Sequence, residues 1–562
     1  MRNNTRLALG GILLIAFILR VIGIRFGLPH LYHQDEPIVV NHAMAIGAGG
    51  WNTGVYWPPQ FASYFLFLFY AVSFITGHLF GFFKNAEAFG TWFVKDPTYF
   101  YLLGRLVLGV GFGTATVWVM WRLGKDYFSQ KTGLLTALFL AVCYVHVQHS
   151  HYIYVDIPLG FALALLFCAW LSLLKGFSIQ KAFWVGLAFG WAVSVKYTAF
   201  YFAPVFLVLH ILVFGKDLFS RRSFLGWLVE GAAALGIYAL ISPFTFLDWP
   251  AFIAEASSQS GARGYSGWLY HTVYSIIPGT SPLLFILAVL GLVYSFWNYR
   301  KEAVLLGSAA LVYYLVNVYF TQPFARYMMP LILLVCLWAA LGCLWAVSLI
   351  KKPMVKSMII AATLLSTLVP SIYSDFLFLR KDTRTQCLEW IESRVPEGSV
   401  IVVDNLFYSP PLRQTREQIE EKYRSLGDQR GSGAKRTRLS LELKALEGKK
   451  TYNRYTLTAQ GEQMEQPFLF MKPFIGTNWN DFKEKHADYF IINYSDYIEA
   501  NHVFKESIVR HLERVAVFSP YQDASRKVSK DPYASTAAPH MLSELFSRNR
   551  LGPYIEVYKV KD

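Results

Sequence analysis

Two apolar runs joined by a short basic connector decide the fold, in the stretch DIPLGFALALLFCAWLSLLKGFSIQKAFWVGLAFGWAVSVK at residues 156–196. The run 157–174 approaches the ~20 apolar residues with which a helix crosses a bilayer, and the run 182–195 is somewhat shorter. Lys175 and Lys181 lie in the connector between them. Because basic connectors stay on the cytoplasmic side, the stretch predicts a membrane hairpin whose turn faces the cytoplasm.

Similar runs continue through the first ~373 residues, and their connectors alternate between rich and poor in Lys and Arg. The predicted spans are 7–24, 99–121, 132–148, 157–174, 182–195, 198–214, 224–242, 281–297, 303–320, 326–349 and 355–373. The alternation predicts about 11 spans in a bacterial plasma membrane, with the N-terminus cytoplasmic and the C-terminus outside.

The apolar run 61–83 is long enough to be a further span, but one more crossing would place every later basic connector outside. It follows Trp57-Pro58-Pro59 and contains Gly77 and His78. We therefore expect it to be a juxtamembrane or re-entrant element within one large outer loop, 25–98. A double crossing shared with the stretch up to residue 98 is the alternative.

Composition supports a membrane protein. Of the 562 residues, 54% are hydrophobic, 17% aromatic and 16% charged, where soluble proteins carry about 25% charged residues. These values exclude a disordered, collagenous or disulfide-rich chain and disfavour a soluble enzyme. The net charge of +15 is explained by cationic helix ends near anionic headgroups, without nucleic acid. The five cysteines have no metal-site spacing and are interpreted as small packing residues.

The segment 374–562 differs from the rest of the chain and predicts an extracytoplasmic α/β domain beside a catalytic membrane domain, 1–373. Strands are expected at 399–403, 489–493 and 554–558. A highly charged insert, 414–450, is expected to form a solvated helical hairpin or a mobile segment.

Adjacent acids in the first outer loop, Asp35 and Glu36, are the first candidates for chemistry. They could be ordinary solvated side chains. Alternatively, one acts as a general base, because attack by a hydroxyl requires removal of its proton as the new bond forms. Both cannot reach one proton, so the other would orient the loop or accept a second hydroxyl. His33 precedes the pair and is a candidate to line the acceptor site.

A second acid, Asp156, opens a predicted span after the stretch His149-Ser150-His151. A carboxylate there can simply cap the helix and favour its dipole. His151 is a further candidate for lining the site. The two histidines are spaced i, i+2 and do not share a helix face, which disfavours a metal site.

Cations at the outer membrane level form a third set: Lys196, Arg263, Arg326 beside Tyr327, and Arg105 inside a span. Each could reach the interface by snorkelling. Together they could hold a lipid-linked phosphate, since charges at membrane depth usually face a protein interior or polar cavity. The chain has no P-loop and no dinucleotide fingerprint, so a water-soluble nucleotide sugar is not indicated.

The order of these features resembles the GT-C glycosyltransferases, most closely the branch of protein O-mannosyltransferases and lipid A aminoarabinose transferases. The resemblance covers about residues 1–350. It rests on Asp35-Glu36, Pro58-Pro59, the segment ending Leu79-Phe80-Gly81, Arg105, Asp156-Ile157-Pro158 and Lys196. The tail resembles the extracytoplasmic domains of bacterial members, with Trp390-Ile391, Val395–Ser399 and Gly552–Tyr558.

The resemblance implies inverting transfer of a hexosyl or pentosyl group from a polyprenyl-phosphate donor to a hydroxyl of a lipid, glycan or protein. It implies Asp35 as the base and Glu36 and Asp156 as supporting acids. Lys196, Arg263, Arg326 and Tyr327 fall where donor-phosphate contacts occur in the family. The scheme requires no metal cofactor, although a divalent cation could bridge Asp35 and the phosphate.

Two departures leave the sugar open. The aminoarabinose branch has a Lys before the Pro that opens the amphipathic segment, where this chain has Trp57-Pro58-Pro59. The mannosyl branch's His-Pro-Pro-Leu signature is also missing. Outside the transferase class, a polytopic transporter of a lipid-linked or small polar substrate is the main alternative, and a non-catalytic scaffold is a third. Polar groups clustered at one face favour the enzyme, since a transporter places them in mid-span.

Overall fold

The computed structural model describes residues 2–52, 54, 56–260, 268–320, 324–404, 408–426, 432–446, 448–456, 479–494, 508–523, 525–528 and 541–561. Its helices up to residue 379 are Arg2–Val21, Glu36–Gly47, Phe61–Leu79, Ala86–Lys95, Thr98–Gly104, Phe112–Tyr127, Gln130–Ala141, Tyr144–His149, Asp156–Leu174, Ile179–Val195, Val205–Phe214, Arg221–Ile241, Phe244–Leu247, Trp249–Ser260, Ile277–Thr280, Pro282–Asn298, Arg300–Phe320, Met329–Ser348 and Pro353–Leu379. Short 3₁₀ segments cover Tyr197–Phe202, Gly215–Asp217 and Ala325–Met328, and π-helical segments cover Arg105–Gly111 and His271–Ile276.

Nine helices in the described part of the chain are long and apolar enough to cross a membrane. A tenth candidate is the pair His271–Thr280 and Pro282–Asn298, which is bent by 104°. Ile179–Val195 is a shorter apolar helix of 17 residues. The prediction of a mainly helical polytopic membrane protein is confirmed.

The predicted span 132–148 is wrong as a single helix. The structure ends one helix at Ala141 and starts another at Tyr144. Arg20, fully buried in the first helix, donates to the carbonyl oxygens of Leu140 at 3.3 Å and Ala141 at 3.0 Å. A cation that satisfies the last carbonyls stabilises a helix end, so the chain turns where hydropathy alone predicts continuation.

The run after Pro58-Pro59 forms one continuous helix, Phe61–Leu79, without a break at Gly77. Its 19 residues meet the length and hydropathy of a span. These properties do not define its placement in the bilayer. Its assignment as a non-spanning element of the outer loop therefore stays a prediction.

The chain forms two compact units, each assembled from three segments. The first unit comprises Met1–Ile24, Asn52–Leu66 and Leu103–Asp375, and the second comprises Arg25–Trp51, Phe67–Leu102 and Phe376–Asp562. The predicted division into a catalytic membrane domain, 1–373, and an extracytoplasmic domain, 374–562, stays a prediction. In the structure, Arg25–Trp51 and Phe67–Leu102 from the predicted outer loop belong to the same compact unit as the tail.

Close helix packing in the first unit depends on small residues. Gly291 and Gly342 place helix Pro282–Asn298 directly against helix Met329–Ser348. A Cβ at Gly291 would overlap the carbonyl oxygen of Trp338, and one at Gly342 would overlap that of Leu287. Small residues of this kind allow membrane helices to associate through backbone contact.

The second unit contains a five-stranded sheet with strands β1 (Val400–Val403), β2 (Asn453–Thr456), β3 (Tyr489–Tyr494), β4 (Leu512–Phe518) and β5 (Tyr554–Val560). The strand order is β2-β1-β3-β5-β4. The first three pair in parallel, and β5 pairs antiparallel with β3 and β4. The predicted strands correspond to β1, β3 and β5 and are confirmed. The sequence analysis missed β2 and β4, whose burial is only partial.

The tail helices are Thr383–Arg394, Arg416–Ser425, Ser432–Ala445, Trp479–Glu484 and Leu542–Ser547. Helix Thr383–Arg394 packs Leu388 and Ile391 into the sheet core with Ile401, Ile491 and Val557. Two of these helices lie in the charged insert 414–450 and contact each other, so its helical interpretation is confirmed.

Candidate functional site

An ion pair in the first unit joins two helix ends. Helix Asp156–Leu174 and helix Ile179–Val195 form the predicted hairpin, so the start of the first lies beside the end of the second. Lys196 Nζ is 2.6 Å from Asp156 Oδ1, and both side chains are less than 10% exposed. Asp156 occupies the first turn of its helix and Lys196 follows the last turn of the other. Both charges therefore also favour the helix dipoles.

Arg326 extends this cluster. It lies in the 3₁₀ turn Ala325–Met328, and its Nε is 4.0 Å from Asp156 Oδ2. Its side chain remains 21% exposed, more than the other two charged groups. We name Asp156, Lys196, Arg326 and Tyr327 the cation cluster.

Aromatic rings surround these cations. Lys196 Nζ is 4.6 Å from the centroid of the Tyr327 ring. The Arg326 guanidinium carbon is 4.8 Å from the centroid of Phe324 and 5.4 Å from that of Tyr154. Rings at these distances stabilise cations through their faces. Two cations against one carboxylate leave the cluster with a formal charge of +1, which suits an anionic ligand such as a phosphate.

Arg105 has a different environment. It begins the π-helical segment Arg105–Gly111 and is fully buried. Its Nη1 donates to the carbonyl oxygen of Ile24 at 2.7 Å, at the chain that leaves the first helix. This contact braces the entry to the outer loop. A phosphate-binding role for Arg105 stays a prediction.

His151 is also buried, with both ring nitrogens near backbone carbonyls. Nδ1 is 3.0 Å from Val147 O and Nε2 is 2.7 Å from Ile22 O. Asp375 Oδ1 lies 3.6 Å from Nε2. The structure thus places His151 in a buried polar network that connects the chain after the first helix with helix Pro353–Leu379. Its role in lining the acceptor site stays a prediction.

Asp35 and Glu36 start a helix in the second unit. Asp35 is the N-cap of helix Glu36–Gly47 and is partly exposed, whereas Glu36 is completely buried in the first turn. His33 is 7% exposed, and its Nδ1 accepts the backbone N–H of Asp35 at 3.3 Å. Of the adjacent acids, Asp35 is therefore the better placed to meet a substrate, and His33 helps to order its backbone.

Glu255 is a structural residue that the sequence analysis missed. In helix Trp249–Ser260, its carboxylate accepts the backbone N–H of Tyr56 at 2.6 Å and of Trp57 at 3.0 Å. Burial raises the pKa of this carboxyl, and the two backbone donors oppose the shift. A single acid in a connecting segment gives no sequence signal for such a contact. It fixes the turn that precedes Pro58-Pro59.

Two further predictions concern Arg263 and a metal ion. Arg263 lies outside the described residues. Within the ranges that the structure describes, no group of three or more His, Cys, Asp or Glu side chains has the arrangement of a metal site. A divalent cation at Asp35 stays an untested option.

Comparison with known proteins gives one family match. Residues 104–246 match the family model for dolichyl-phosphate-mannose-protein mannosyltransferase. This segment contains Asp156 and Lys196 and leaves Asp35 and Arg326 outside. No curated protein matches the chain in sequence.

Comparison with solved structures gives matches that include the following two proteins. ArnT from Cupriavidus metallidurans bound to undecaprenyl phosphate has a TM-score of 0.50 at 13% identity, over 91% of this chain and 95% of that one. In the apo state, ArnT again gives a TM-score of 0.50. The archaeal oligosaccharyltransferase AglB from Archaeoglobus fulgidus, in complex with an inhibitory peptide and a dolichol-phosphate, has a TM-score of 0.47 at 11% identity, over 92% of this chain and 73% of that one.

The family match and the fold of ArnT confirm the predicted resemblance to GT-C glycosyltransferases. The chain is a multi-pass membrane protein. The transferase prediction fits these findings better than the transporter alternative does.

Proposed function

We propose that this chain transfers a sugar, with inversion, from a polyprenyl-phosphate donor to a hydroxyl acceptor on the outer face of the membrane. The observation that carries the proposal is the cation cluster. Lys196 and Arg326 lie around one buried carboxylate at helix ends in a membrane protein, where isolated charge is costly and usually functional.

The cation cluster is proposed to hold the donor phosphate. Arg326 is the most exposed of its charged groups and can offer two N–H donors to phosphate oxygens. Lys196 supplies a second positive charge, and Asp156 fixes its position through the 2.6 Å contact. ArnT, whose fold is similar, was solved with undecaprenyl phosphate, which supports a lipid phosphate as the ligand.

Asp35 is proposed as the general base. It accepts the proton of the acceptor hydroxyl while the oxygen forms a bond to the anomeric carbon of the sugar. The bond between that carbon and the phosphate oxygen breaks on the opposite side, which inverts the configuration. The polyprenyl phosphate leaves with an additional negative charge, and Lys196 and Arg326 stabilise it as it develops. Asp35 then releases its proton to water.

The class of donor and acceptor remains broader than one compound. A hexosyl or pentosyl group on a polyprenyl phosphate, and a lipid, glycan or protein hydroxyl, all fit this scheme. The bacterial plasma membrane, with a cytoplasmic N-terminus and an extracytoplasmic tail, is the proposed location. It follows from basic connectors such as Lys175 and Lys181.

Transfer of radiolabel from a panel of polyprenyl-phosphate sugars tests the proposal. Membranes with the wild-type chain should move label to an acceptor, and membranes with Asp35→Asn should not. Asp96→Asn is a matched control in the same outer loop, because Asp96 caps the Thr98 backbone and has no proposed role in transfer. No transfer by folded wild-type protein from any donor, with native acceptors present, would refute the proposal.

A further inference from the structure

Tyr32, three residues before Asp35, is held by Arg384 and Thr385, and we call these contacts the clamp. Tyr32 is 4% exposed, and its ring centroid lies 3.9 Å from the guanidinium carbon of Arg384. Its hydroxyl is 2.7 Å from Thr385 Oγ1, and its carbonyl oxygen accepts from Arg384 Nη1 at 3.3 Å. Ring, hydroxyl and backbone of one residue are thus all held by the first turn of helix Thr383–Arg394.

Arg384 is itself fixed by Asp382. Its Nε and Nη2 donate to the two carboxylate oxygens at 2.9 and 2.8 Å, and its backbone N–H donates to the same carboxylate at 2.9 Å. Arg384 is fully buried. A planar, bidentate pair of this kind holds the guanidinium in one orientation, which a lysine cannot reproduce.

The helix that carries Arg384 is joined to the sheet. Thr383 N–H donates to Leu551 O at 3.1 Å, and Thr383 Oγ1 donates to Pro553 O at 2.8 Å. Gly552 has φ +101, and a Cβ there would overlap Thr383 Oγ1 and Asp382. This close approach connects the helix that carries Arg384 to the start of β5. Tyr32 is therefore linked to the sheet through Arg384.

We propose that Arg384, with Asp382 and Tyr32, positions the Asp35 segment for catalysis, and that the tail contributes this clamp to the active site. The inference rests on the proposed function of Asp35. His33 Nδ1 accepts the Asp35 N–H one residue beyond the clamp, so displacement of Tyr32 moves the backbone that carries the base. A displacement of about 1 Å from a remote change can cost about 10²-fold in rate.

Arg384→Met removes the clamp, and Lys381→Met is the matched control. Lys381 lies three residues away, is about half exposed and pairs only with exposed Glu389 in the described contacts. In purified full-length protein, Arg384→Met should lower kcat by about 10²-fold. The KM for the donor should change little, because Arg384 is not proposed to bind it. Arg384→Lys should recover part of the rate, and Lys381→Met should match the wild type.

Hydrogen exchange separates positioning from folding. Backbone amides of 33–40 should lose protection in Arg384→Met, whereas those of β5 should keep theirs. Because an unpaired buried Asp382 would impair folding of that variant, Tyr32→Leu removes the ring and hydroxyl contacts from the other side and should give the same two effects in the same direction.

Unchanged protection of 33–40 in both variants would overturn the proposal, as would lost protection with unchanged kcat. If the wild type transfers no sugar, the function proposed above fails. The exchange result then decides by itself whether Arg384 holds the Asp35 segment.

Discussion

Asp156 and Asp35 both begin helices, but their surroundings differ. Asp156 is buried in the first unit and lies between Lys196 at 2.6 Å and Arg326 at 4.0 Å. Asp35 is partly exposed in the second unit, where its backbone N–H donates to His33 Nδ1 and its carbonyl oxygen accepts from the N–H of Ile38. The first carboxylate is charge-compensated and buried, whereas the second belongs to a partly exposed residue at the start of its helix.

The difference fits the two roles that the resemblance implies, with Asp35 as the base and Asp156 as a supporting acid. Removing a carboxylate that compensates a buried lysine is costly, because the cation is then left without its partner. Asp156 is therefore suited to organise cations. In our proposal, Asp35 takes the proton of the acceptor hydroxyl, and the clamp at Tyr32 and Arg384 positions it.

The largest effect is expected from removing the Asp35 carboxylate. Asp35→Ala should lower kcat by about 10²–10⁴-fold, the usual contribution of a positioned base. Formate should restore part of the rate, since it can replace the missing carboxylate at a partly exposed site. Steady-state transfer with and without formate measures this. Rescue of Asp156→Ala by formate to the same extent would remove the distinction between the two carboxylates.

Lys196→Met should have the next largest effect because it leaves Asp156 buried without its ammonium partner. The free energy of unfolding in mixed micelles should fall by about 3–5 kcal/mol. The double variant Asp156→Asn, Lys196→Met should regain most of that stability and still bind undecaprenyl phosphate weakly. Wild-type affinity in the double variant would show that the pair serves packing alone.

Glu556 offers a compensated carboxylate away from the proposed site. It is fully buried in β5 and accepts from Tyr558 at 2.7 Å, Lys527 at 3.0 Å and Arg514 at 2.9 Å. Burial alone would raise the pKa of this carboxyl, but these donors, with Tyr494, hold it below its usual value. The stabilisation is therefore complete above about pH 4.3 and is lost as the pH falls through the lowered pKa.

Glu556→Gln should therefore reduce stability by about 2 kcal/mol at pH 7, since two of its cationic partners are half exposed. The difference from the wild type should narrow below pH 4, and sugar transfer should be unchanged. Unfolding followed across pH 3–7 checks the first part. A difference that stays constant with pH would show that the charge of Glu556 does not stabilise the sheet.

Arg326→Lys should have the smallest effect. The charge remains, but the planar fork that can hold two phosphate oxygens is lost. Binding of undecaprenyl phosphate should weaken about 10-fold, or about 1.4 kcal/mol, with unchanged stability. Equal affinity in titrations of wild type and variant would exclude a bidentate contact from Arg326.

Much of the fold could be predicted from the positions of the apolar runs in the sequence. Apolar runs locate most helices, and runs such as Val400–Val403 and Tyr489–Tyr494 locate the central strands. The exception at Ala141 depends on Arg20, which is 121 residues away and shows no local signal. The strand Leu512–Phe518 lies at the sheet edge and alternates too weakly to be recognised.

The candidate site was predictable only in part. Asp156 and Lys196 frame one hairpin, so their proximity follows from topology once the two helices are recognised. Arg384 and Tyr32 lie 352 positions apart in the sequence. Asp382 before helix Thr383–Arg394 predicts a helix cap, but nothing in the sequence indicates that it also orients Arg384 against Tyr32. Contacts of this separation depend on tertiary structure.

We propose that Asp35 performs the chemistry and that Asp156 organises the donor phosphate. Binding of undecaprenyl phosphate and sugar transfer, measured on the same reconstituted samples of Asp35→Asn and Asp156→Asn, test it most directly. This assignment predicts that Asp35→Asn binds the lipid like the wild type and transfers no sugar, and that Asp156→Asn loses affinity for the lipid. Full transfer by Asp35→Asn, or equal loss of lipid binding in both variants, would contradict it.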